Sequence, residues 1–359
     1  MRTKIKLCLF LLLFAFSLTF TLFSCSSNPT EPPPPPPPPP VVEPDSTTQN
    51  FTFQTYEFGD GYSSSYLNDV WIFNENNIWA VGDISPENGE TFANILRWNG
   101  NKWYHYEREF VSTGFTGMWA ADSDNIYLAS NAIRKYEGGI VKTIDLTHLS
   151  FSQGQGVHKL WGSSQSNIWG VGPWGTIVHY DGNNWTKIDF DQQWYFYGIT
   201  GNPETGIAYA YAQNNNDIRI IVQLSISSAT VIHQSKQITA VKANAMNFID
   251  SALYLAGSDF SSTLLWKFNL QTKKIDSLFT LVPTTGLYQA TGNKKIDYYF
   301  WGDDYGTGKM VQYNGKRFKV FDLPKASDNR GGANTNGNVS AFVGYADNKG
   351  YVTIVKRIE

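Results

Sequence analysis

A unit of sequence recurs along this chain, and residues 156–188 hold its clearest copy. It runs Gly156-Val157-His158-Lys159-Leu160-Trp161-Gly162, then Asn167-Ile168-Trp169-Gly170-Val171-Gly172, then an apolar run from Gly175 through Tyr180 into Asp181-Gly182 and Trp185. An earlier copy reads Asp69-Val70-Trp71, Asn77-Ile78-Trp79-Ala80-Val81-Gly82, and Ile95 to Trp98 followed by Asn99-Gly100 and Trp103. Others start near Gly117, Tyr197, Ala252, Asp297 and Val339. Seven units between residues 51 and 359 give a pitch of roughly 44, the size of one four-stranded propeller blade.

Each unit reads as four antiparallel strands. The inner strand carries Val-Trp or Leu-Trp, and the second is the Asn-Ile-Trp run. The third ends in Tyr or Trp, where Asn-Gly or Asp-Gly supplies the φ > 0 of a tight hairpin into the fourth. The last unit lacks its fourth strand, while residues 51–58 form a strand with no unit of their own. We therefore expect an all-β, seven-bladed propeller over 51–359, closed by its N-terminal strand. The weakness of the fourth and fifth units leaves six or eight blades open. Trp71, Trp79, Trp119, Trp161, Trp169 and Trp301 are expected in the packing, with Ala80, Gly82, Gly170 and Gly172 leaving room for the neighbouring blade.

Residues 1–24 read as a secretory signal, with Arg2, Lys4 and Lys6 before an apolar run that ends at Leu22-Phe23-Ser24-Cys25. Leu22 and Cys25 make the segment resemble a bacterial lipoprotein signal, which implies acylation of Cys25, palmitate included, and an outer-membrane lipoprotein of the cell envelope. Residues 25–50 then form a linker whose proline run, Pro32 to Pro40, predicts an extended rod. Cys8 and Cys25 are the two cysteines of the chain, so the folded part holds together by packing without a disulfide. With 28 Lys and Arg against 31 Asp and Glu and no basic cluster, nucleic acid is not an expected partner.

The segment from Gly175 to Trp185 resembles the repeat of photosystem II assembly factor-like propellers. It is also similar to the Asp-box of sialidase-type propellers, but Asp181 is followed directly by Gly182. Kelch-type double glycines occur at Gly138-Gly139 and Gly331-Gly332. These resemblances imply a fold and carry no catalytic residue.

Chemistry is thinly represented. Asp122-Ser123-Asp124-Asn125 begins like a calcium loop but lacks its glycine and distal glutamate, the five histidines share no ligand spacing, and no Gly-x-Ser-x-Gly elbow occurs. We expect no metal, no cofactor and no catalytic residue. Loops between blades, and between second and third strands, emerge on one face around the channel. Candidate ligand-binding residues there are Trp174, Trp194, Tyr195, Tyr66, Asp303 and Tyr305, with Tyr62, Asp83, Phe115, Asp259 and Asp304 nearby in sequence. Aromatic faces beside carboxylates suit a protein or carbohydrate partner. The expected function is a lipid-anchored, monomeric, non-enzymatic binding module. The alternatives are a glycoside hydrolase or lyase with carboxylates drawn from different blades, and an envelope assembly factor.

Overall fold

The first repeat unit folds as four antiparallel strands in chain order, Tyr66–Asn74, Asn77–Ile84, Ala93–Trp98 and Trp103–Glu107. The computed structural model describes residues 46–85, 93–107, 114–235, 245–249, 251–258, 263–281, 286–294, 297–304, 307–323 and 331–358. Within them are seven such sheets, and the inner strands of successive blades are neighbours all round, the last against the first. The signal segment, Cys25 and the proline run lie outside the described residues.

The ring closes as the strand arithmetic requires. Phe51–Phe58 pairs antiparallel with Lys349–Arg357 in unbroken register from Phe51 opposite Arg357 to Phe58 opposite Gly350, so the N-terminal strand completes the seventh blade. Turn chemistry repeats with equal regularity. The oxygen of Asn99 accepts the amides of Asn101 and Lys102, Asp181 those of Asn183 and Asn184, and Asn314 those of Lys316 and Arg317. The glycine that follows each has φ between +92° and +99°, a region in which a Cβ is penalised.

Second strands are covered on both faces. Ile78, Trp79, Ala80 and Val81 are all buried, and seven apolar clusters among the described residues each fill the space between two adjacent blades. A buried indole N–H requires an acceptor. The Asn-x-Trp spacing provides one: Trp79 Nε1 donates to Asn77 Oδ1 at 2.9 Å and Trp169 Nε1 to Asn167 Oδ1 at 3.1 Å. Opposite each tryptophan in the third strand sits a second donor to the same oxygen, Arg97 in the first blade and His179 in the third. Arg97 stacks on Trp79 at 5.3 Å and His179 on Trp169 at 4.2 Å. Burial holds His179 below the ordinary imidazole range, so its Nε2 donates from a neutral ring.

Two expectations change. Trp301 is buried, but Tyr299 holds the place of Trp79; Trp301 is equivalent to Val81 and stacks on Phe342 at 4.6 Å. The glycines of the second strand make room for their own blade: a Cβ on Gly82 would lie 2.0 Å from the Tyr66 carbonyl, and one on Gly170 2.7 Å from Val157. Neighbouring blades meet instead at inner-strand glycines, Gly162 under Trp119 and Gly201 under Trp161. Gly332 lets the last inner strand pass Asp69, whose Oδ1 a Cβ would approach to 2.1 Å.

Where the sixth blade meets the closing blade, Asp297 stands in the place of Asn77 and binds Arg357 on the last strand, which also reaches the Tyr299 hydroxyl. Gln312 Nε2 donates to Asp297 at 3.0 Å, and Gln49 Nε2 donates to Gln312 Oε1 at 2.8 Å. Stranding one charge of a buried pair is worse than removing both. Arg357→Met is therefore expected to destabilise the protein by about 3–5 kcal/mol, and Asp297→Leu combined with Arg357→Met by clearly less, as measured by urea denaturation.

Candidate functional site

A cavity of about 170 Å³ on the ring axis is lined by residues of all seven inner strands. Its polar side chains mostly bind the backbone of the next blade. Asp69 Oδ2 accepts the Met118 amide at 2.9 Å, Thr200 Oγ1 the Phe248 amide at 3.2 Å, and Asn334 Oδ1 the Ile72 amide at 3.1 Å. Lys159 Nζ donates to the Thr116 carbonyl at 2.9 Å. Burial pushes the Asp69 carboxyl up, opposed by the charge of Lys159 and by the Met118 and Val70 amides. The channel wall thus staples blades together, with Trp71, Trp119 and Trp161 as its aromatic side.

The mouth of this channel is different. Trp174 occupies the turn between the strands Asn167–Val171 and Ile177–Tyr180, half exposed and with φ +54°. A left-handed backbone costs a bulky side chain about 1–2 kcal/mol, and residues held so collect where function requires them. Its indole rests on the loop before the third blade: a Cβ on Gly154 would come 2.5 Å from Nε1, and Gln155 Nε2 donates to the Trp174 carbonyl at 2.9 Å. The next amide, Gly175, donates to the Trp194 carbonyl at 2.8 Å, so the turn is tied to the start of the fourth blade.

There the inner strand Tyr195–Gly201 begins with a bulge between Phe196 and Gly198. A bulge inserts a residue and re-aims side chains. Phe196 is buried, whereas Tyr195 and Tyr197 are both exposed, their rings 4.7 Å apart. His158 joins them from the third blade, its Nδ1 3.0 Å from the Tyr195 hydroxyl and its Nε2 2.8 Å from Asn131 Oδ1. Because the amide oxygen only accepts, Nε2 carries the proton and Nδ1 accepts from Tyr195. Burial first, then the charge of Lys159, holds His158 below the usual imidazole range. Burial raises the phenols of Tyr195 and Tyr197.

The residues named from sequence therefore divide. Trp174 and Tyr195 lie on adjoining segments of one face. Trp194 is only 8% exposed and packs with Trp169, Ile188 and Phe196; its backbone positions the site while its ring belongs to the core. Phe115 is likewise buried, and Tyr66 is half-buried at the start of the first inner strand. Asp303 falls in the strand Asp297–Asp304, opposite Gly286 and Gly308; Tyr305 and Asp259 lie outside the described residues. Tyr197 and His158 are not among the residues the sequence singles out for binding, although Tyr195-Phe196-Tyr197 follows ordinary strand alternation, with i and i+2 exposed and i+1 buried. Asp122 caps its own turn, accepting from Asp124 N and Asn125 Nδ2.

No family model matches the chain, and no curated protein matches it. Among solved structures, a chain described as YCF48 bound to D1 peptide is 9% identical with a TM-score of 0.61, over 86% of this chain and 97% of that one. A chain from a crystal structure of the mitotic checkpoint complex is 12% identical with a TM-score of 0.62, over 95% of this chain and 100% of that one. At such identities the likeness is one of fold: a seven-bladed propeller.

Two outcomes are expected at the site. Trp174→Gly relieves the left-handed strain and raises stability by about 1 kcal/mol, read as a shift in urea midpoint at unchanged slope. The lowered His158, His179 and His233 bind protons more readily unfolded than folded, so stability stands fully above about pH 6.5 and declines as the pH falls below it. His158→Gln or His179→Gln makes that decline shallower in midpoints collected from pH 7.5 to 5.

Proposed function

We propose that this protein is a non-enzymatic binding module that takes a segment of a protein partner on the channel face. The observation that carries this reading is the shelf formed by Trp174, Tyr195, Tyr197 and His158, pre-set by a strained turn, a bulge and a hydrogen-bonded imidazole. Rigid aromatics with one polar edge bury area on a partner while losing little conformational freedom. Of the described residues that line the channel, Asp69 is the one carboxylate, and its oxygens are engaged by backbone amides. A paired-carboxylate hydrolase needs a second, so binding is the better-supported activity. The fold neighbour bound to a peptide supports a protein over a carbohydrate as the partner.

The module is carried on the bacterial envelope by a lipid at Cys25, with the proline run Pro32 to Pro40 as spacer, sorted to the outer membrane. This part of the reading rests on the signal-like segment before Cys25 and on the proline run.

Trp174→Ala with Tyr195→Ala is expected to abolish capture of the partner from solubilised envelope membranes at unchanged thermal stability, and a glycan array is expected to stay blank. Capture undiminished by the double substitution would refute the choice of face. Cys25→Ala is expected to release the protein from the membrane fraction or block its processing; unchanged association at unchanged size would refute lipidation.

A further inference from the structure

The fourth blade turns one face toward the fifth, and that face carries an unusual row. Tyr195 pairs with Gln213, and Gln213 with Arg219, across the inner, second and third strands at the channel-mouth end. One step further in, Tyr211 pairs with Ile221 and Ile221 with His233. Cross-strand partners share a face of the sheet, so Tyr211, Arg219 and His233 all point into the crevice. Its floor is apolar, built from Tyr209, Ile221, Met246, Leu255 and Phe268.

Three polar atoms in this crevice have no hydrogen-bond partner among the described residues: Arg219 Nη1, the Tyr211 hydroxyl and His233 Nε2. Arg219 is 4% exposed and Tyr211 2%. The guanidinium is only partly engaged, with Nε donating to Gln213 Oε1 at 3.3 Å, and no carboxylate is paired with it among the described residues. A buried, unsatisfied donor normally weakens a fold, and a buried cation does so more. Arg219 also works against burial on the phenols of Tyr197 and Tyr211, which places its charge beside the aromatic shelf; Tyr197, on the bulge, is exposed and lines the channel.

We infer that this crevice receives a carboxylate of the bound peptide, with Arg219 Nη1 and the Tyr211 hydroxyl as its donors. The inference rests on the binding-module reading and narrows it: the partner segment presents a carboxylate, either a chain terminus or an acidic side chain, just past the residues that lie on Trp174 and Tyr195. Tyr197 moves aside to admit it, since both donor atoms are closed to solvent. A charge-assisted pair with Arg is the strong form of such a contact.

The test uses the full chain and three probes: acetyl-tetra-alanine with a free C-terminus, the same peptide amidated, and an amidated version with glutamate at its second position. Calorimetric titration is expected to show at least one carboxylate probe binding ten-fold or more tightly than the neutral amide, and the better one tells terminus from side chain. Arg219→Gln is expected to remove that preference, and Arg219→Lys to retain part of it. Tyr211→Phe keeps the ring and removes the unsatisfied hydroxyl, so it is expected to weaken the carboxylate probe several-fold while raising the melting midpoint by about 2 °C; a purely structural hydroxyl would lower the midpoint instead. Equal affinity for all three probes, or a preference that survives Arg219→Gln, overturns the proposal. If the envelope partner is still captured by Arg219→Gln and lost with the double variant Trp174→Ala and Tyr195→Ala, the carboxylate site fails while the binding module stands. If neither variant affects capture, both readings fail.

Discussion

Everything in this molecule depends on the pairing of Phe51–Phe58 with Lys349–Arg357. Each blade is a sheet with two apolar faces, and each face is buried only by the next blade, so the seven apolar clusters exist as a set. An open ring would expose two blade faces and the edge of Lys349–Arg357, a hazard for pairing with other chains. The two cysteines of the sequence both precede the ring. Closure therefore rests on eight cross-strand pairs and on the buried network that joins Arg357 to Asp297 and Gln312.

Between blades the same problem is solved repeatedly with different residues. The second strand needs a large aromatic to fill the space, and the third places a polar or cationic group over it: Arg97 on Trp79, Lys135 on Tyr127, His179 on Trp169, Lys267 on Tyr254. The cationic contacts among these contribute roughly 0.5–2 kcal/mol when partly desolvated. In the sixth blade Gln312 faces Tyr299, and the cation comes from Arg357 on the adjacent blade. A repeating intrablade contact has there become the joint that closes the ring.

Most of the fold was legible in the sequence because its signals are local: Asn-Gly and Asp-Gly turns, the Asn-x-Trp spacing and the missing fourth strand. Trp174 was legible for the opposite reason, as a tryptophan at a position the repeat does not dictate. What stayed hidden depends on register. Trp194 looked equally irregular, yet the segment folds back and buries its ring. Tyr197 follows the ordinary alternation of a strand, but alternation alone does not tell which face meets solvent. Arg219, Tyr211 and His233 are separated by whole strands, and only cross-strand pairing puts them in one crevice. The double glycine Gly331-Gly332, which resembled a kelch mark, serves the close passage of the last inner strand by Leu67 and Asp69.

The point where the chain joins the ring has a mechanical meaning. Thr47 and Gln49 are fastened to the sixth-blade hairpin around Asn314 and Arg317, a third-to-fourth strand turn, whereas Trp174 sits on a second-to-third strand turn at the opposite end of its blade. A force applied at residue 46 thus enters the ring on the far side from the aromatic shelf. The load falls first on the buried Gln49 clamp and only then along the axis of Phe51–Phe58, where its eight rungs resist together in shear.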